Sequence, residues 1–287
     1  MRRIVIALSV VLVIAASSQK GVHAITGNFV KDFEHPFVGL AVFYGSTGAF
    51  SHRCSGSLLS PTVFLTAGHC VAGVSSARVY FQQDAGAHFD PSTELDPITG
   101  YPEQCFTQPC TTGHRLISFG YPAGFPNTKD AGLIILDNPI ALAEYGALGA
   151  AGSLDRLATR RGQQNITFTS SGYGLSYINP HFFVSFRERL MVTAKLDNLT
   201  SALNGGFNVQ TSNSPGIGGG TCFGDSGGPL FYGGTTSNAI VGLTSFGLSV
   251  NVCAGTDFAF RTDQEPVIAW ILANAGSEAN LIQIVQI

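Results

Sequence analysis

The chain has 287 residues, 45% of them apolar and 11% charged, a balance that supports a sizeable core and excludes a disordered polypeptide. Its formal net charge is −3 with no basic run, which excludes nucleic acid and anionic membrane surfaces as expected partners.

Arg2 and Arg3 open the chain, Ile4 to Ala16 is almost unbroken apolar sequence, and Val22-His23-Ala24 supplies the short residues a signal peptidase requires. Residues 1–24 are therefore expected to be a secretory signal peptide cleaved after Ala24, giving a secreted, extracellular protein. The apolar stretch is too short to cross ~30 Å of hydrocarbon as a helix, and no later segment is long and apolar enough to do so. Cleavage removes Arg2, Arg3 and Lys20 from the 15 bases and none of the 18 acids. The mature chain is thus mildly acidic.

Short apolar runs then recur along the chain, at Phe37–Tyr44, Thr62–Thr66, Arg78–Phe81, Leu133–Leu136, Ile166–Thr169, Leu190–Leu196 and Ile240–Ser245, each bounded by Gly, Pro, Asn or Ser. With 35 glycines, this predicts an all-β chain of the sandwich or barrel kind. Residues 82–129 read as a long polar, Pro-containing insertion of loops. Its acids Asp84, Asp90, Glu94 and Asp96 are spaced too irregularly for a calcium loop and are expected to be solvated. Asn165-Ile166-Thr167 and Asn198-Leu199-Thr200 are sequons, meaningful only in a eukaryotic secretory route. The one expected helix comes late: Asp263 can cap it, Pro266 sits in its first turn, Val267, Trp270, Ile271 and Leu272 share a face, and Gly276 stops it. Residues 277–287 form a tail with an apolar end.

The 6 cysteines, an even number behind a signal peptide, point to disulfides rather than metal or redox chemistry. Sequence alone does not choose the pairing, although Cys105 and Cys110 are close enough to staple one loop. The histidines show no HExxH or comparable ligand spacing, so no metal or other cofactor is expected.

Three segments carry chemistry. In Gly224-Asp225-Ser226-Gly227-Gly228-Pro229 a serine flanked by glycines has an exposed hydroxyl, and successive N–H groups can converge on an anion; the bland alternative is a Gly-rich turn. In Leu65-Thr66-Ala67-Gly68-His69-Cys70 a histidine next to a cysteine follows an apolar strand and is positioned rather than free. In Asp130-Ala131-Gly132-Leu133-Ile134-Ile135-Leu136 an aspartate enters an apolar strand, where a buried carboxylate needs a partner such as an imidazole N–H.

Together these segments, in the order His, Asp, Ser, resemble the trypsin/chymotrypsin-like serine endopeptidases. The resemblance runs from about residue 25 to 274. Ile25-Thr26-Gly27-Asn28 resembles the family's mature amino terminus and Pro36 falls where it usually has a proline. Ser55-Gly56-Ser57-Leu58-Leu59 leads into the histidine motif. Ser171-Gly172-Tyr173-Gly174 and Thr244-Ser245-Phe246-Gly247 are similar to its Gly-Trp-Gly and Ser-Trp-Gly segments with the tryptophan replaced.

The resemblance implies two packed six-stranded antiparallel β-barrels with a C-terminal α-helix, residues 25–276 forming the protease domain. It implies a triad of His69, Asp130 and Ser226, with an oxyanion hole at Gly224 and Ser226. It implies disulfides Cys54–Cys70 and Cys222–Cys253, leaving Cys105–Cys110 by elimination and without family precedent. Gly220 would form the pocket floor, with Ser245 and Gly247 lining the pocket and Asp257 on its back wall. Three preferences stay open there: small aliphatic, larger apolar or basic side chains, with small-to-medium apolar favoured. A freed Ile25 ammonium would pair with Asp225. Expected partners are protein or peptide substrates and protein inhibitors, acting on a monomer. The rival reading is a catalytically silent protease-fold binding protein, although none of the three triad residues is missing here.

Overall fold

The computed structural model describes residues 25–85, 110–158, 165–175, 177–179, 182–184, 188–214, 218–251 and 253–287. The expected signal peptide, Cys105, Asp90, Glu94 and Asp96 lie outside these residues. Asp84 forms an isolated antiparallel bridge with Glu188.

The first sheet contains β1 (Val38–Tyr44), β2 (Phe50–Leu58), β3 (Val63–Thr66), β4 (Ser76–Tyr80), β5 (Cys110–Gly113), β6 (Arg115–Ser118) and β7 (Gly132–Ile135). β1 is apolar and buried throughout, as expected of a central strand covered on both faces. The order is β5-β4-β1-β2-β3-β7-β6. Only His114 separates β5 from β6. One bent segment therefore pairs with β4 at one end and β7 at the other, closing the sheet as a barrel of six strands. This corrects the expectation of loops throughout 82–129: the stretch 110–118 closes the first barrel.

The second sheet follows with β8 (Ala147–Gly149), β9 (Thr167–Gly172), β10 (Leu190–Asn198), β11 (Asn208–Asn213), β12 (Pro229–Phe231), β13 (Ala239–Asn251) and β14 (Ala254–Arg261). Six of them form an antiparallel ring, β12-β9-β10-β11-β14-β13, closed by the β12–β13 pairing. One strand outside the ring is parallel. β8 pairs in parallel with β13 and with Ile284–Val285 of the tail.

Two helices are relevant to the site. α1 (Gly68–Val71) is a single turn after β3, and α2 (Glu265–Asn274) follows the second barrel. Val267, Ile268 and Ile271 of α2 are buried, and Trp270 meets Phe119, just after β6, at 5.3 Å between ring centroids. Asp263 does not cap α2. The N-cap is Gln264, without a side-chain bond. Asp263 is fully buried, accepts the Leu154 N–H at 2.8 Å and pairs with the Arg261 guanidinium at 2.8 Å. An ion pair in place saves the cost of an unpaired buried charge, and that long-range partner outcompetes local capping.

The tail 277–287 touches both barrels. Glu278 Oε2 accepts the Thr62 N–H at 3.0 Å, ahead of β3. Ile282 is buried in the large core, Ile284–Val285 extend the second sheet through β8, and Ile287 packs on the second core cluster.

Candidate active site

His69 sits in α1, immediately after β3, so its backbone is fixed by a buried strand. Asp130 precedes β7, the neighbour of β3, and the strand pairing Thr66↔Gly132 brings the two residues together. The Asp130 carboxylate is 2% exposed. One oxygen accepts the His69 main-chain N–H at 2.7 Å; the other accepts from ring Nδ1 at 2.9 Å and from the Ser245 hydroxyl. An ionised carboxylate only accepts, so Nδ1 carries the proton and the neutral ring keeps an acceptor lone pair on Nε2. His69 is partly exposed, 27% for its side chain, and lines a cavity of about 550 Å³ together with Gly224 and Ser226.

Ser226 belongs to the loop before β12. Gly224 and Gly227 have φ of +94° and +76°, a region that favours glycine. At Gly227 space is also short: a Cβ would lie 2.1 Å from Thr66 Oγ1 and 2.5 Å from the Ala67 nitrogen. The serine loop can thus press against the strand that carries His69.

Asp225 is fully buried. Its oxygens accept the N–H groups of Gly174 at 2.7 Å and Cys222 at 2.9 Å. Burial pushes its carboxyl up to about 7, the two N–H groups opposing only part of that rise. Ile25, also fully buried, packs with Leu190, Val192 and Phe29.

A second cavity, about 290 Å³, opens beside Ser226 and is lined by residues that include Phe223, Ser245, Phe246, Gly247 and Asp257. Cys222–Cys253 ties its walls together. Gly220 is not on the wall. It pairs with Thr26, and a Cβ on it would fall 2.2 Å from Asn213 Cγ and 2.4 Å from Asp257 Oδ2. Its missing side chain admits the Asp257 carboxylate, which is the group that reaches the cavity. Asp257 accepts from Thr221 N–H at 2.6 Å, the Thr221 hydroxyl at 3.0 Å and Asn213 Nδ2 at 3.1 Å. Burial nonetheless raises its carboxyl to about 6. Gly247 stands opposite Asp257 in the β13–β14 register.

A family model described as Trypsin matches residues 25–271. The chain belongs to the trypsin family. It is 26% identical over 247 residues to trypsin zeta of Drosophila erecta, covering 80% of this chain and 77% of that protein. It is 29% identical over 227 residues to brachyurin of Leptuca pugilator, covering 78% and 88%. Among solved structures, HL collagenase shares the fold with a TM-score of 0.64 at 20% identity, covering 88% of this chain and 98% of that one. The trypsin-family chain is accordingly a serine endopeptidase, and its substrates are proteins.

The disulfides Cys54–Cys70 and Cys222–Cys253 are both present. The first locks β2 to α1. Cys54 and Cys70 also lie within ligand distance of His69, but both sulfurs are spent in the disulfide and offer no thiolate to a metal. Sequence reasoning missed the apolar shelf beside His69. Tyr121, Phe125, Phe246 and Leu248 line a cavity of about 500 Å³ there, and Phe246 stacks on Phe258 at 4.6 Å. It also missed Ser55 and Asn213, whose side chains reach the serine loop and Asp257 across the fold.

Proposed function

We propose that this trypsin-family endopeptidase is secreted and cuts peptide bonds through a triad of His69, Asp130 and Ser226, with an acyl-enzyme intermediate. The observation that carries the reading is the Asp130 carboxylate, which fixes both the backbone and the ring of His69, a residue that lines one cavity with Ser226. In that mechanism Nε2 takes the Ser226 proton as the hydroxyl attacks the substrate carbonyl. Asp130 stabilises the imidazolium, and the N–H groups of Gly224 and Ser226 receive the oxyanion. The proton then passes to the leaving amine, and water releases the acyl group by the same route reversed. Labelling with a fluorophosphonate and mapping the adduct tests this directly: modification at Ser226 is expected, and an intact protein that takes no label supports the silent binding protein instead.

Signal cleavage after Ala24 frees Ile25, whose ammonium pairs with Asp225 and neutralises a buried charge. Small-to-medium apolar side chains enter the cavity between Phe223, Phe246 and Gly247, and ionised Asp257 extends its range to basic ones.

A further inference from the structure

Ser55 is fully buried on β2, and its polar groups converge on the serine loop. Its main-chain N–H donates to the Ser226 carbonyl at 2.8 Å. Its hydroxyl donates to the Gly224 carbonyl at 2.9 Å and accepts the Tyr173 N–H at 2.8 Å. Its own carbonyl accepts the Thr66 hydroxyl at 2.7 Å. The Gly224–Asp225 peptide is thereby held at both ends, because its N–H donates to the Cys222 carbonyl at 3.1 Å.

That peptide is the rigid unit lying between the N–H groups of Gly224 and Ser226. A peptide is planar, so the angle between the flanking N–H groups depends on the dihedrals at Gly224 and Asp225. Glycine does nothing to restrict its own dihedrals, and Gly224 sits at φ +94°. Something outside the loop must fix the peptide's orientation. Asp225 anchors it from below through Cys222 and Gly174, and the carbonyl on the other side is held by the Ser55 hydroxyl.

We infer that Ser55 is a positioning residue for the oxyanion hole: its hydroxyl orients the Gly224–Asp225 peptide so that the Gly224 and Ser226 N–H groups converge. The inference rests on the proposed role of Ser226 and adds a residue to it that touches neither substrate nor reacting atoms. Without the hydroxyl, the Gly224 carbonyl and the Tyr173 N–H both lose the partner they share. A buried polar group left unpaired is costly, and turning the peptide toward another partner spoils the convergence. Glycine at position 55 leaves more room than alanine for a water to bridge the same two groups.

The experiment compares the mature enzyme with Ser55→Ala, Ser55→Gly and Ser226→Ala. It measures kcat, KM, thermal unfolding, and inhibition by a peptide boronic acid and by the matching peptide amide. The boronate places an anionic oxygen in the oxyanion hole, whereas the amide only fills the pocket. Removing one oxyanion donor costs about 100- to 1,000-fold in kcat, so misaligning a pair is expected to cost roughly 10- to 100-fold. In Ser55→Ala, kcat and boronate affinity should fall by the same factor while KM and amide affinity stay within about threefold; Ser55→Gly should show the same pattern with a smaller drop. Unchanged kcat and boronate affinity in both variants overturn the inference. So does a parallel loss of amide affinity, boronate affinity and melting temperature, or failure of both variants to fold, since each is the mark of a purely structural role. If Ser226→Ala retains full activity, the nucleophile assignment has failed; if Ser226→Ala is inactive while the Ser55 variants behave as wild type, only the positioning role has failed.

Discussion

Removing every residue before Ile25 should stabilise the chain most strongly near pH 8 and much less at pH 5. The perturbation is a single amino group: one chain carries an extra Met before Ile25, the other starts at Ile25. In the extended chain the Asp225 carboxyl moves from an ordinary 3.8 to about 7 because burial disfavours its charge. At 1.36 kcal/mol per unit, this corresponds to ~4 kcal/mol of lost stability near pH 8. A carboxyl raised in this way keeps in the folded state a proton the unfolded chain has already released. Its contribution to stability is therefore complete below about pH 4, is lost as pH rises toward about 7, and stays lost above that. The free ammonium of the shorter chain supplies the missing counter-charge, and the gap between the two chains should approach ~4 kcal/mol at pH 8 and shrink to ~1–2 at pH 5. The ~3–5 kcal/mol seen for breaking buried pairs brackets this. Asp257, also raised, is present in both chains, and its charge adds to the rise at Asp225. Thermal melts of both chains from pH 4 to 8 provide the assay, with a difference of roughly 10 °C near pH 8 expected for a domain of this size. Asp225→Asn should flatten the pH dependence in both. Parallel melting curves at all pH values, or a gap that survives Asp225→Asn, would refute the pairing of Ile25 with Asp225.

The remaining predictions concern chemistry, pocket and disulfide. Ser226→Ala should keep the wild-type melting temperature and lose turnover by about 10⁶-fold; peptidase activity above one part in a hundred from pure protein would end the triad assignment. With Asp257 titrating near 6, the ratio of kcat/KM for arginine over leucine before the cut should rise between pH 5 and 7.5. Asp257→Asn should remove that rise, and a ratio independent of pH in the wild type contradicts the pocket reading. The Cys54→Ala/Cys70→Ala double variant opens a bridge with a sequence separation of 16. It should lose ~3 kcal/mol and melt roughly 6–12 °C lower, as read by calorimetry against the parent.

The segments that carry the family resemblance were legible because each is local. An apolar strand runs into His69, Asp130 leads into another, and glycines bracket Ser226, so backbone context and chemistry coincide within a few residues. The strand runs were legible for the same reason, each apolar stretch overlapping an observed strand. What stayed hidden depends on partners far along the chain. Asp263 looked like a helix cap because Pro266 follows it, yet Arg261 and Leu154 claim its carboxylate. Gly220 looked like an empty floor, but Asn213 and Asp257, reaching from neighbouring strands, occupy the space it leaves. The closing strand at 110–118 was hidden because Thr111-Thr112-Gly113-His114-Arg115 shows no apolar alternation; its bend turns successive residues toward different surroundings. Ser55 offered no signal at all, since a serine beside a cysteine is ordinary until the fold sets Gly224 and Tyr173 on either side of its hydroxyl.

The tail bears on how the two barrels are held together. His69 and Asp130 belong to one barrel and Ser226 and Ser245 to the other, so their alignment depends on how the barrels are held. Residues 277–287 follow all of these groups in the chain, with Glu278 gripping one barrel while Ile284–Val285 join the sheet of the other. A ribosome or translocon therefore delivers both barrels before it delivers the segment that bridges them.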